Sequence, residues 1–198
     1  MVWVRATGKA VKTAPYTAAR KVGVAEKNTG RVQVVPEGGG ATSEVSATDL
    51  MPRNPPGSRP DNCQLLHLNE ACVLENVAVR YMASEIYTWT SHVLTTVNPY
   101  EPLPLYSDQI ASQLPAMAPR DLPPHAFSVA ELAVRNVVRG SQAVIVSGES
   151  GAGKTYNMAH VMAYLTRRAR NGGSADSGLG VRLGTLLLQS NPVLEAFG

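Results

Sequence analysis

The chain has 198 residues, enough for one domain with a smaller appendage. With 44% hydrophobic and 17% charged residues it can bury a core, which excludes a wholly disordered chain. A net charge of +3 is too mild to argue for a nucleic-acid partner, and no run of about 18 apolar residues offers a membrane insertion. The N-terminus lacks the apolar stretch of a secretory signal. Cys63 and Cys72 have no metal-ligand spacing with the four histidines, so neither a zinc site nor a disulfide framework is expected, and a reducing cytoplasm fits.

Residues 1–50 alternate short β-branched runs with glycine and polar breaks. Val2-Trp3-Val4, Lys21–Val24 and Arg31–Val35 each read as a short strand, Gly38-Gly39-Gly40 as a turn, and Glu44-Val45 as the start of another strand. Strands this short and this closely spaced predict a small β-barrel. Pro52, Pro55, Pro56 and Pro60 then forbid a regular helix or an inner strand, so residues 51–62 are expected to be a linker.

From Asn69 the character changes. Asn69 is a suitable cap for a helix over Glu70–Asn76 that continues through Val77–Ser84. Tyr87–Thr90 and Val93–Val97 predict a hairpin turning at Ser91-His92. Pro99–Pro124 is expected to be loop with one short helix near Ser107–Leu114. Ser128-Val129-Ala130-Glu131 has the pattern of a capping box, opening a helix with Val129, Leu132, Ala133 and Val137 on one side. Ala143-Val144-Ile145-Val146 is an unbroken apolar run, as a strand buried on both faces of a parallel sheet requires. Met158, Val161, Met162 and Leu165 recur at helical spacing and predict an amphipathic helix over Lys154–Arg170. Arg167, Arg168 and Arg170 suit the negative end of its dipole. A glycine-rich loop over Asn171–Gly180 and a last helix from about Arg182 complete the chain.

Between the apolar run and that helix lies Gly148-Glu149-Ser150-Gly151-Ala152-Gly153-Lys154-Thr155, which matches GxxxxGK[ST] at every fixed position. Glycines let a backbone wrap closely round a polyphosphate and adopt conformations that side chains resist. Successive N–H groups at a helix N-terminus then make an anion nest, Lys154 supplies an ammonium for the β- and γ-phosphates, and Thr155 offers a hydroxyl to Mg²⁺. The motif predicts nucleotide binding but does not by itself separate motor, kinase, GTPase and transporter.

The flanking residues narrow the choice. Asn98-Pro99-Tyr100-Glu101-Pro102-Leu103-Pro104-Leu105-Tyr106 resembles the purine-binding loop of myosins, and Gly148–Thr155 is the myosin form of the phosphate loop letter for letter. Pro123-Pro124-His125-Ala126-Phe127 resembles the segment leading into the helix before the loop's strand, and Gln189–Gly198 the helix before switch I. Leu68-Asn69-Glu70 and Val79-Arg80-Tyr81 fit as well, and Val2-Trp3-Val4 resembles the start of the barrel that some myosins place before the motor.

The resemblance implies an α/β, P-loop NTPase-like fold: a partial myosin motor core with a truncated sheet over 63–198, preceded by an SH3-like β-barrel over 1–50. It further implies that Asn98, Pro99 and Tyr106 contact the adenine of ATP, that Gly148–Thr155 hold its phosphates, and that Thr155 ligates Mg²⁺. Actin is the implied partner, through regions outside these residues, in the cytoplasm with the cytoskeleton. Hydrolysis in the family needs switch I and switch II, expected beyond Gly198, so no catalytic residue is expected here. His125 reads as a packing or capping residue. Three departures stand out: Glu101 where the family usually carries Lys or Arg near the purine, Tyr156 in place of a common Glu, and a short connection from Arg135 to Gln142. Two other readings remain open at this point, a short ATP-binding interaction module without hydrolysis and an unrelated P-loop NTPase or kinase.

Overall fold

The computed structural model describes residues 1–6, 15–24 and 30–171. The glycine-rich loop expected after Asn171, the helix from Arg182 and the stretch Gln189–Gly198 lie outside the described residues. The chain divides into two compact units, Met1–Val79 and Arg80–Gly198.

The first unit is built on an antiparallel sheet of β1 (Val2–Arg5), β2 (Tyr16–Val24), β3 (Arg31–Pro36), β4 (Ser43–Ser46) and β5 (Leu50–Pro52), in the order β4-β3-β2-β1-β5. Strand β3 shows why it forms. Val32 and Val34 point into the core while Arg31 and Gln33 face water, the period-two pattern of a half-buried strand. Ala19 joins the two valines, and Val2, Val4, Val45 and Leu50 pack around them. Every strand predicted within residues 1–50 is present. β2 begins earlier than its sequence suggested, and its pairing with β3 shifts register between Lys21 and Gly23.

Strand β5 crosses the expected boundary at residue 50. Pro52 ends it opposite Val2, on a strand at the end of the sheet order, where a missing N–H interrupts no inner ladder. The proline-rich stretch that follows is irregular but pinned. Asn54 exchanges two hydrogen bonds with the backbone of His67. Asn76 accepts from the Arg59 N–H and donates to the Arg59 carbonyl and to Asn62 Oδ1. Helix α1 (Glu70–Met82) opens as predicted, with Asn69 Oδ1 accepting from the Cys72 N–H at 3.0 Å.

The second unit starts at the end of α1. Arg80 is buried and donates to the Tyr87 carbonyl and to Thr88 Oγ1, while pairing with Glu85. These bonds hold the hairpin of β6 (Tyr87–Thr90) and β7 (Val93–Thr96), in which Thr90 faces Val93 and Ser91 takes a positive φ of 59° in the turn. Helix α2 (Asp108–Gln113) falls within the short helix expected near Ser107–Leu114, and the Ser107 side chain caps it by accepting from the Ile110 N–H.

Helix α3 (Ala126–Asn136) departs from its expected start. Its cap is His125, whose Nδ1 accepts from the Phe127 N–H at 3.0 Å. Ser128 and Glu131 form no capping box: Ser128 Oγ is buried without a hydrogen bond, and Glu131 turns inward. With the helix starting earlier, the buried face becomes Phe127, Ala130 and Glu131, and Val137 is exposed. A carboxylate wholly out of water needs partners, and Glu131 has three. Arg135 Nε donates to Oε1 at 2.8 Å, while Tyr164 Oη and Arg168 Nε donate to Oε2 at 2.8 and 3.0 Å. The last two lie on helix α4 (Lys154–Asn171), so this one side chain ties α3 to α4. Around it Ile86, Tyr87, Leu114, Leu122, Phe127 and Val161 form the core.

The apolar run before the phosphate loop does not form the expected strand. Residues 141–149 carry no regular structure, and Ile145 is 88% exposed. Apolar character specifies that a strand should be covered, yet a strand exists only where neighbours complete its ladder. No parallel strand among the described residues does so.

Candidate functional site

The loop Gly148–Thr155 bends into the first turn of α4 through two residues that only glycine adopts readily. Gly151 has φ of +79° and Gly153 of +89°. A Cβ on Gly148 would lie 3.1 Å from that of Ala152, so this end of the loop is also closely packed. The Ala152 N–H closes a turn on the Glu149 carbonyl at 3.2 Å. Lys154 curls back over the loop, and its ammonium donates to the carbonyls of Gly148 and Glu149 at 2.9 and 3.0 Å. The cation therefore sits at the mouth of the loop, where the N-terminal end of α4 adds a partial positive charge. Glu149, Ser150 and Thr155 are exposed around it, Thr155 in the first helical turn.

Beside this loop lies a cleft of about 370 Å³. Asn98, Pro99 and Tyr106, singled out from the sequence, all line it, together with Gly153 of the loop. The structure thus brings the two halves of the expected site side by side. Tyr100 of the same segment and Tyr156, one of the departures noted in the sequence, also line it, and Asn157, which the sequence did not single out, completes the wall. Asn157 was legible in principle. It stands in the first turn after the loop, where a short polar side chain can reach back to a carbonyl four residues earlier, and its Nδ2 donates to the Gly153 carbonyl at 2.9 Å. Glu101 also lines the cleft, so the acidic departure noted in the sequence falls at the site itself.

The aromatic wall is fixed from behind. Tyr87 Oη lies 2.7 Å from Tyr106 Oη and donates to Asn157 Oδ1 at 2.7 Å. Because a phenol has one proton, Tyr106 must be the donor to Tyr87. The His160 ring stacks on Tyr106 with centroids 3.4 Å apart and planes 6° from parallel, and Tyr156 meets both edge-on. Burial pushes the Tyr106 phenol up and the His160 imidazole down, so both rings are neutral near pH 7. His125 is a packing and capping residue. Its ring packs against Tyr87, Tyr106 and Phe127, and burial lowers it to about 4. The Leu105 carbonyl beside its Nε2 opposes that shift only in part.

Comparison with known proteins gives the family. The family described as Myosin head (motor domain) matches residues 59–198. Unconventional myosin-VI of Sus scrofa is 42% identical over 141 residues, which is 70% of this chain and 11% of that protein. Myosin heavy chain 95F of Drosophila melanogaster is 40% identical over 146 residues, 72% of this chain and 11% of its own length. Myosin-13 of Arabidopsis thaliana is 41% identical over 165 residues, 80% of this chain and again 11% of the relative. The chain thus spans about a tenth of the length of these curated relatives. An unrelated kinase is set aside by the same matches. On the family match over more than half its length, with the loop Gly148–Thr155 and the adjoining cleft inside the matched residues, this chain belongs to the myosin head (motor domain) family.

Proposed function

We propose that this chain is the ATP-binding part of an actin-based motor, with the phosphates in the loop Gly148–Thr155 and the purine in the adjoining cleft. The single observation that carries the reading is the junction at Gly153, where the phosphate loop and the cleft lined by Asn98, Pro99 and Tyr106 share a residue. A nucleotide needs such a pair of subsites within a few ångströms, one cationic and rich in N–H groups, the other flat and apolar. The residues present fit ATP with Mg²⁺: glycines at positive φ permit close approach to phosphate, Lys154 supplies charge, and Thr155 would offer its hydroxyl to the metal. When bound, the Mg²⁺ would neutralise phosphate charge. Lys154 would exchange its loop carbonyls for phosphate oxygens, and the neutral Tyr106–His160 stack would present an apolar wall to the base.

Within the same reading, the sheet of the first unit is an SH3-like barrel, and actin contact and ATP turnover belong to a longer motor. The role of these residues is to bind and orient nucleotide. Titration of the chain with ATP and Mg²⁺, followed by amide chemical shifts, should give weak saturable binding that Lys154→Ala removes. Equal binding by Lys154→Ala would overturn the phosphate site. Actin-activated ATP hydrolysis by this chain alone, abolished by the same substitution, would overturn the restriction to binding. Glu101→Arg should tighten ATP about threefold, because it replaces an anion at the cleft with a cation.

A further inference from the structure

Asn98 is expected, from the resemblance, to touch the purine, yet its amide is engaged elsewhere. Its Nδ2 donates to the Gly151 carbonyl at 2.8 Å, and its Oδ1 accepts from the Tyr100 N–H at 2.9 Å. Only one orientation of the amide satisfies both partners, since a carbonyl cannot donate and an N–H cannot accept. The first bond crosses 53 residues of sequence to the middle of the phosphate loop.

The second bond closes a turn that sets Tyr100 at φ of +54°, a conformation that a bulky residue adopts only under external constraint. That turn in turn carries the Tyr100 hydroxyl to 3.4 Å from the same Gly151 carbonyl. One carbonyl of the phosphate loop thus receives two donors from the purine segment. A trans peptide is planar, so holding the Gly151 C=O on one side holds the Ala152 N–H on the other, where it closes the loop's turn on Glu149.

We propose that Asn98 is a positioning residue that braces the central peptide of the phosphate loop, making the loop's shape depend on the purine segment. The proposal rests on the nucleotide reading above and goes further: Asn98 acts on phosphate affinity, not only on the base. Asn98→Asp keeps the acceptor for Tyr100 and replaces the donor with an oxygen facing the Gly151 carbonyl. Asn98→Ala removes both bonds.

The test titrates the ¹⁵N-labelled chain and both variants with inorganic pyrophosphate and, separately, with ATP, each with Mg²⁺. Pyrophosphate has no base, so a residue that only contacts the purine leaves its binding untouched. The expected result is a loss of roughly five- to tenfold for pyrophosphate and for ATP alike, with the Ala152 amide shifted and those of α3 unmoved. Weaker ATP binding with unchanged pyrophosphate binding would overturn the brace and leave the nucleotide reading standing. If Asn98→Asp unfolds the unit, Asn98→Ala decides by the same two titrations. Failure of the unmodified chain to bind either ligand would overturn the nucleotide reading and the brace with it.

Discussion

The apolar run Ala143–Val146 and the amphipathic helix α4 flank the same loop, but Ile145 is 88% exposed while Tyr164, on the apolar face of α4, is 1% exposed. The contrast follows from where each backbone finds its hydrogen bonds. A helix closes its ladder within its own residues and needs neighbours only for its apolar face, which α3 and the hairpin supply to α4. A strand closes nothing by itself. The loop Gly148–Thr155 therefore has one arm anchored by its own helix, α4, and one arm that touches the core through Val144 but that no described strand pairs. On the anchored side the links are specific: Glu131 ties α3 to α4, Asn157 and Asn98 hold carbonyls of the loop, and Lys154 folds over its mouth.

The largest effect that could break this comparison is loss of the Glu131 carboxylate. Glu131→Ala leaves Arg135 and Arg168 without their buried counter-charge and Tyr164 without its acceptor, and should cost the second unit about 3 kcal/mol in urea unfolding. An unchanged midpoint would show that the anchored arm is held by something else.

Acid should loosen the same side in two separable stages. The His125 imidazole titrates at 6.5 when unfolded and at about 4 when folded, because burial disfavours its charge. Unfolding thus takes up a proton between these values, and stability falls as the pH drops from 6.5 towards 4. His125→Asn keeps a capping side chain and should flatten that limb of a melting-temperature profile. A second loss below pH 4.5 belongs to Glu131. Burial raises its carboxyl, but bonds from Arg168, Arg135 and Tyr164 outweigh that and hold it below the usual value. Its stabilisation is complete above 4.5 and is lost as the pH falls through the lower folded value. An identical acid limb in His125→Asn would remove His125 from this account.

The smallest effect is expected on the other arm. Ile145→Lys should change the unfolding free energy by no more than about 0.5 kcal/mol, since the side chain is already in water, while lowering light scattering from self-association. A destabilisation comparable to that of Glu131→Ala would mean that the run is buried in solution and that the two arms are alike.

What the sequence determined by itself was local. The Asn69 cap, the hairpin at Ser91-His92, helix α4 and the motif at Gly148–Thr155 all depend on residues within a few positions of one another, so periodicity and capping chemistry sufficed to place them; in the first unit the same local patterns marked segments that the sheet then paired. The resemblance in flanking residues extended this to the family, which the comparisons support over residues 59–198. The tertiary structure decided what depends on distant partners. It turned Glu131 from half of a capping box into a buried counter-ion for Arg168, because a carboxylate follows whichever donors the fold brings to it. It left Ala143–Val146 without a ladder, because a strand is defined by its neighbours. And it joined Asn98 to Gly151 across 53 residues, a link that no pattern in either segment could announce.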